Sequence, residues 1–177
     1  MVFQGGTYFF TLVTYKRQKI FLSREARSML YESIEHIQRL HPFMIEAYCI
    51  MLDHIHFIWR LPMDDANYSM RIGQIKRRFS KQYAKKYGML IGKSFSQEKR
   101  RELPIWQRRF WEHLIRDEED LNRHIDYIHY NPVKHALVSR VQEWEDTSFH
   151  AYVQKGFYDP DWGEGFQINE TKHQFGE

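Results

Sequence analysis

The chain has 177 residues, of which 42% are hydrophobic and 16% aromatic, and a formal net charge of +3. That length suits one domain with a substantial core, and no stretch approaches the roughly 18 to 20 unbroken apolar residues of a membrane span. The opening Met-Val-Phe-Gln-Gly-Gly lacks the basic and apolar runs of a signal peptide, and the lone Cys49 excludes an internal disulfide, so a soluble, cytoplasmic protein is expected.

Thr7 to Thr14, rich in aromatic and β-branched residues, reads as a strand. Ser23 is a good N-cap for a helix that runs to about Leu40 and stops before Pro42, with Met29, Ile34, Ile37 and Leu40 in its apolar stripe. Phe43 to Met51 and His54 to Leu61 read as two strands joined by a turn at Leu52-Asp53. A second helix, about Ser69 to Gly88, turns Ile72, Ile75, Phe79 and Tyr83 inward and its basic residues outward, with Gly88 as terminator. Residues 89–104 read as a flexible basic loop, and Trp106 to Ile115 contains a further strand. Asp117 caps a third helix, and Glu118, Glu119 and Asp120 suit its positive first turn. Pro132 is expected to end that helix at or near Asn131. The order is strand, helix, strand, strand, helix, strand, helix. This is an α+β chain whose sheet is mainly antiparallel, with helices on one face.

Charge is unevenly spread. Thirteen of the 26 Lys and Arg residues lie between Arg71 and Arg109, against two acids, Glu98 and Glu102, and the region from Asp159 onward leans acidic. A basic face of this kind suits a polyanion, because each contact to a phosphate releases a condensed counterion.

Three constellations carry chemistry. In the third strand, alternation points His54, His56, Ile58 and Arg60 one way and Ile55, Phe57 and Trp59 toward the core. Histidines at i and i+2 stand about 7 Å apart at Cβ, and their rings can converge on one divalent ion. Most His-x-His pairs are ordinary surface or hydrogen-bonded histidines, so this pair alone is a weak signal. The second constellation runs from His124 to His135 at the end of the third helix. There the i, i+4 relation sets Tyr127 beside Asn131, whose carbonyl oxygen is a candidate third ligand. A tyrosine hydroxyl ionises near pH 10 and is a weak nucleophile unless a cation stabilises its phenolate; Lys134 and His135 are local candidates. Tyr130 and Tyr48 remain rivals that spacing does not exclude. The third constellation, Ile105 to His113, interleaves aromatic and basic side chains as single-stranded nucleic acid requires, with Arg108 and Arg109 best placed for DNA. The competing reading puts Trp106, Phe110 and Trp111 in the core.

Together these pieces resemble a known family. His54-Ile55-His56 resembles the histidine–hydrophobic–histidine (HUH) motif of single-tyrosine transposases. Trp106-Gln-Arg-Arg-Phe-Trp-Glu-His113 and Tyr127-Ile-His-Tyr-Asn-Pro-Val-Lys-His135 are similar to the REP-associated tyrosine transposases, as are Gly5 to Thr11 and Trp144 to Phe149. The likeness spans about Gly5 to Trp162, one domain over 1–162 with a flexible tail over 163–177. It implies a ferredoxin-like, RRM-like antiparallel sheet with both histidines on a central strand and the tyrosine on a C-terminal helix. The motif maps the metal ligands to His54, His56 and Asn131 and the nucleophile to Tyr127. Related transposases often carry glutamine where Asn131 stands, and the motif tolerates variety at Tyr130.

The implied activity is metal-dependent cleavage and rejoining of single-stranded, hairpin-associated DNA through a 5′-phosphotyrosine. The implied cofactor is Mg²⁺ or Mn²⁺, the partner palindromic DNA, and the assembly a monomer or homodimer. Lys76, Arg77, Arg78, Arg108, Arg109 and Lys134 are the candidate DNA contacts. Two other readings stand beside it: a catalytically silent nucleic-acid-binding regulator, and a phosphodiesterase that uses water.

Overall fold

The computed structural model describes residues 5–87 and 105–165. Strands β1 (Thr7–Val13), β2 (Met44–Ile50), β3 (His54–Arg60) and β4 (Trp111–Leu114) form one antiparallel sheet in the order β2-β3-β1-β4. Helices α1 (Arg24–Leu40), α2 (Tyr68–Tyr87) and α3 (Glu118–Lys134) complete the order expected from the sequence, and a short helix α4 (Phe149–Gln154), not among the expected elements, follows. This is the ferredoxin-like arrangement, with β1 and β3 central. Gly88, the loop 89–104 and residues 166–177 of the expected tail lie outside the described residues, as do residues 1–4. Among the described residues no helix is long and apolar enough to cross a membrane.

Local chemistry sets the element ends. The Ser23 hydroxyl accepts from the Ala26 amide, and Asp117 accepts from the Asp120 amide, so both expected caps are made. At Gly5 a Cβ would come within 2.0 Å of the Pro62 carbonyl oxygen, which is why the chain enters β1 through glycine. Two expectations need correction. Helix α3 does not stop before Pro132 but continues to Lys134, with Asn131 and Pro132 buried and the His135 amide bonded back to the Asn131 carbonyl. Burial of that last turn outweighs one missing amide donor. Arg71, expected on the outward basic face of α2, is 3% exposed, forking onto Asp65 while donating to the His41 and Pro42 carbonyls.

The sheet is covered on both sides. Phe10, Leu12, Ile55, Phe57 and Trp59 pack against Ile34 and Ile37 of α1 and Ile72, Ile75 and Phe79 of α2. These two helices form the expected helical face. Helix α3 lies across the other face, where Ile125, Tyr127 and Ile128 meet Phe9, Cys49, Met51 and Ile58. Beyond α3 the chain returns to the β2 edge. There the Ile50 amide donates to the Asp146 carbonyl, the Ser148 amide to the Tyr48 carbonyl and the Trp144 indole to the Ile50 carbonyl. The Tyr48–Ile50 end of this edge strand is thereby closed to intermolecular pairing.

One residue of this C-terminal clasp carries a pH prediction. His129 is fully buried, pairs with the Ser148 hydroxyl at 2.7 Å and is ringed by Phe149, Tyr152 and Tyr158. Burial, with a smaller contribution from His150, pushes its imidazole down to about 3. An unfolded histidine takes up its proton near pH 6.5, which the native one refuses, so stability is complete above that value and falls as pH drops from 6.5 toward 3. The slope from this one group is about 1.4 kcal/mol per pH unit. Urea midpoints from pH 7.5 to 5 are therefore expected to fall more steeply for the wild type than for His129→Gln; parallel curves would refute the assignment.

Candidate active site

Strand alternation carries His54 and His56 to the α3 face. That face is not open to solvent as a polar strand face would be: His54 is 2% exposed and His56 0%. Each imidazole is held at Nδ1. His54 Nδ1 meets the Asp53 carboxylate at 2.6 Å, and His56 Nδ1 meets the Thr11 hydroxyl of β1 at 3.0 Å. Burial works against ionisation of Asp53, but the hydrogen bond and charge of His54, with Arg17 at 3.5 Å, hold its carboxyl below the usual range. Commitment of both Nδ1 atoms fixes ring orientation and makes Nε2 the nitrogen on each ring suited to ligate a metal. The two ring centroids are 4.9 Å apart.

Helix α3 supplies the rest. Tyr127 is 1% exposed, its ring 5.2 Å from that of His56 and 6.2 Å from that of Phe9. The Lys134 ammonium donates to the Tyr127 hydroxyl at 3.2 Å and stands 4.4 Å from its ring centroid. Asn131 is fully buried one turn beyond Tyr127, and the His135 ring lies 5.4 Å from that of His54. Lys134 and His135 are exposed, which places the mouth of the site at the C-terminal end of α3. Of the rival tyrosines, Tyr48 parts from this group. Tyr48 pairs in register with Phe57 and packs against Tyr31, on the opposite sheet face. Tyr130 packs by Gly163.

The donor set fits a divalent cation. Two imidazoles and a carboxamide oxygen are donors of the kind that hold a first-row divalent cation, and nitrogen donors weigh against Mg²⁺ relative to Mn²⁺. Asp53 and Thr11, which orient the ligands, escaped sequence reasoning. Asp53 adjoins the motif, whereas the Thr11 partnership depends on strand register across 45 residues.

A second group with metal-ligand chemistry is His113, Asp120 and His124, whose ligand atoms lie within 4.8 Å of one another. The buried Asp120 carboxylate is already occupied: it accepts from the Arg116 amide and guanidinium, from Arg123 and from His113. Burial opposes its ionisation, but Arg116 and His113 pull the carboxyl far below the usual range. His124 Nδ1 donates to the Asp120 backbone carbonyl, and its ring stacks on His113 at 4.7 Å. A carboxylate neutralised by guanidinium groups is a clamp between β4 and the first turn of α3, the helix that carries Tyr127.

The basic residues divide. Lys76, Arg77 and Arg78 lie on α2, in the layer on the far side of the sheet from the histidines. Lys76 donates to the Gln107 carbonyl, lies over the rings of Trp106 and Phe110, and is pushed down to about 8 by burial. It therefore pins the segment leading into β4. Arg108 and Arg109 are exposed, and Lys134 is in the site itself.

Known proteins share this architecture. The family model described as "Transposase IS200 like" matches residues 3–131. A relative from Haemophilus influenzae bearing the REP-associated tyrosine transposase name is 45% identical over 163 residues, 90% of this chain and 89% of the relative. The REP-associated tyrosine transposase of Escherichia coli K12 is 37% identical over 159 residues, 90% and 86% of the two chains. A solved structure of a REP-associated tyrosine transposase bound to a REP hairpin superposes with a TM-score of 0.78 at 34% identity, covering 98% of this chain and 92% of the other.

Proposed function

Because this chain belongs to the IS200-like transposase family and is a DNA transposase, we propose that it cuts and rejoins single-stranded DNA beside a hairpin through a 5′-phosphotyrosine on Tyr127. The observation that carries the reading is the meeting of Tyr127, the Lys134 ammonium on its hydroxyl, and the His54–His56 pair between α3 and the sheet of one chain. A divalent cation, when bound through His54, His56 and Asn131, supplies charge that polarises the scissile phosphate and offsets charge in the transition state.

The protein groups do the remainder. Lys134 stabilises the phenolate as the Tyr127 hydroxyl gives its proton to water, which returns one to the leaving oxygen. The Tyr127 oxygen bonds to phosphorus, the bond to the 3′-oxygen breaks, and that oxygen leaves as a hydroxyl after taking up a proton. One phosphodiester replaces another, so no nucleotide cofactor is consumed. Attack by a 3′-hydroxyl of another strand reverses the step and releases Tyr127 with the strands joined. Tyr127 lies against His56 of its own chain, which supports action in cis by a monomer. A backbone must enter past Lys134 and His135, and single-stranded DNA flanking a palindromic hairpin is narrow and flexible enough to do so.

Hairpin oligonucleotides taken from palindromes flanking the protein's own gene, labelled at either end and incubated with Mn²⁺ or Mg²⁺, test this directly. A protein-linked labelled strand on a denaturing gel, lost with EDTA, is expected. Cleavage without an adduct would favour a phosphodiesterase using water, and a band shift without cleavage a binding role. Lys134→Met is expected to slow adduct formation about 100-fold, the scale for removing one preorganised donor, with the deficit shrinking at higher pH and with Lys134→Arg. A pH-independent deficit would assign Lys134 to DNA binding alone.

A further inference from the structure

The sheet register singles out an aromatic side chain that the mechanism above does not use. In β4, Trp111 pairs with Thr11 of β1, and Thr11 pairs with His56 of β3. Residues directly opposite in an antiparallel sheet project from the same face, so Trp111, Thr11 and His56 form one row, and Thr11 is the hydroxyl that holds His56. Two strand spacings put Trp111 about 10 Å from His56 along that row. The other tryptophan of the segment, Trp106, is 7% exposed and packs on Phe21 and Phe79, whereas Trp111 is 43% exposed.

We propose that Trp111 is the stacking platform for an unpaired DNA base flanking the scissile phosphate, a residue that fixes which phosphate reaches His54 and His56. The proposal rests on the strand-transfer reading of the site. Charge on the segment leading to the ring matches a nucleic-acid strand. Exposed Arg108 and Arg109 precede Trp111, whereas Arg116 and Arg123 beyond β4 are held by Asp120. The one acid inside the strand, Glu112, pairs with Phe10 and so faces the other side, toward Tyr68. An exposed flat ring on a strand entered through two exposed arginines offers base stacking with phosphate pairing on the same segment, and tolerates any base because every base has a π-face.

The test uses the full chain and hairpin oligonucleotides bearing 2-aminopurine at each unpaired position in turn, with fluorescence read on binding in EDTA, where no cutting occurs. One position beside the cut is expected to be quenched by wild type and by Trp111→Phe but not by Trp111→Ala. The same Ala variant is expected to bind about 5- to 150-fold more weakly, the range for one stacked base. It should cut with a raised KM and scattered cleavage positions while kcat at saturation is largely kept. Quenching and affinity unchanged in Trp111→Ala would overturn the proposal even if the adduct forms. Quenching that depends on Trp111 without any adduct would leave the platform standing and remove the strand-transfer reading. An unbound wild type would remove both. A thermal melt checks the fold of the variant, and Trp111→Gln repeats the measurement should the Ala protein melt early.

Discussion

Tyr127→Phe is expected to eliminate the covalent adduct while hairpins still bind. The substitution removes one oxygen and leaves the ring against His56 and Phe9, so packing is retained. Losing the hydrogen bond from Lys134 costs about 1 kcal/mol, a change of only a few degrees in the thermal midpoint. Chemistry should respond on a different scale. With no nucleophile, residual cutting needs a water in the same position, and loss of about 10⁴-fold or more is expected, roughly 5.5 kcal/mol of barrier. The measurement is adduct yield over time on a denaturing gel, beside a native gel for binding. Cutting that survives in Tyr127→Phe would transfer the nucleophile to water or to another tyrosine, and Tyr130 would be the next to substitute.

His56→Ala is expected to abolish cutting by about 10³-fold and to weaken Mn²⁺ binding, followed by calorimetry, by more than tenfold. Unlike the tyrosine change it also disturbs structure. His56 is fully buried, bonded to Thr11 and packed on Phe9 and Tyr127, so a stability loss of about 1 to 3 kcal/mol is expected as well. Three readouts separate the two effects. Excess Mn²⁺ should recover part of the activity if the fault is occupancy, and EDTA should reproduce the defect in wild type. Thr11→Val, which removes the orienting hydroxyl while keeping both imidazoles, should give a milder metal defect. A His56→Ala protein that binds Mn²⁺ as wild type does would remove His56 from the ligand set.

Much of this arrangement was legible in the chain. The switch from period-2 to period-3.6 patterning marked seven elements in order, the Ser23 and Asp117 caps located two helix starts, and alternation through His54-Ile-His-Phe-Ile-Trp placed both histidines on one face. Such signals survive because they depend on neighbours a few residues away. Pro132 misled for the same reason: its local rule ends a helix, but burial of Asn131 and Pro132 against the sheet extends α3 to Lys134. Arg71 misled likewise, since nothing in the α2 pattern reveals that Asp65 and three carbonyls wait to receive a buried guanidinium.

By itself, the sequence determined the kinds of groups available and their local direction: two imidazoles on one strand face, and a tyrosine and an amide one helical turn apart. Tertiary structure decided which of them meet. Strand register over 45 residues gave His56 its Thr11 and set Trp111 in the same row, and the crossing of α3 brought Tyr127 to His56. It also put Tyr48 and the Lys76–Arg78 stretch on the far side of the sheet. The division has one physical cause. Side-chain direction follows from backbone dihedrals that a few residues fix, whereas proximity across the sheet is set by burial and hydrogen bonding summed over the whole domain.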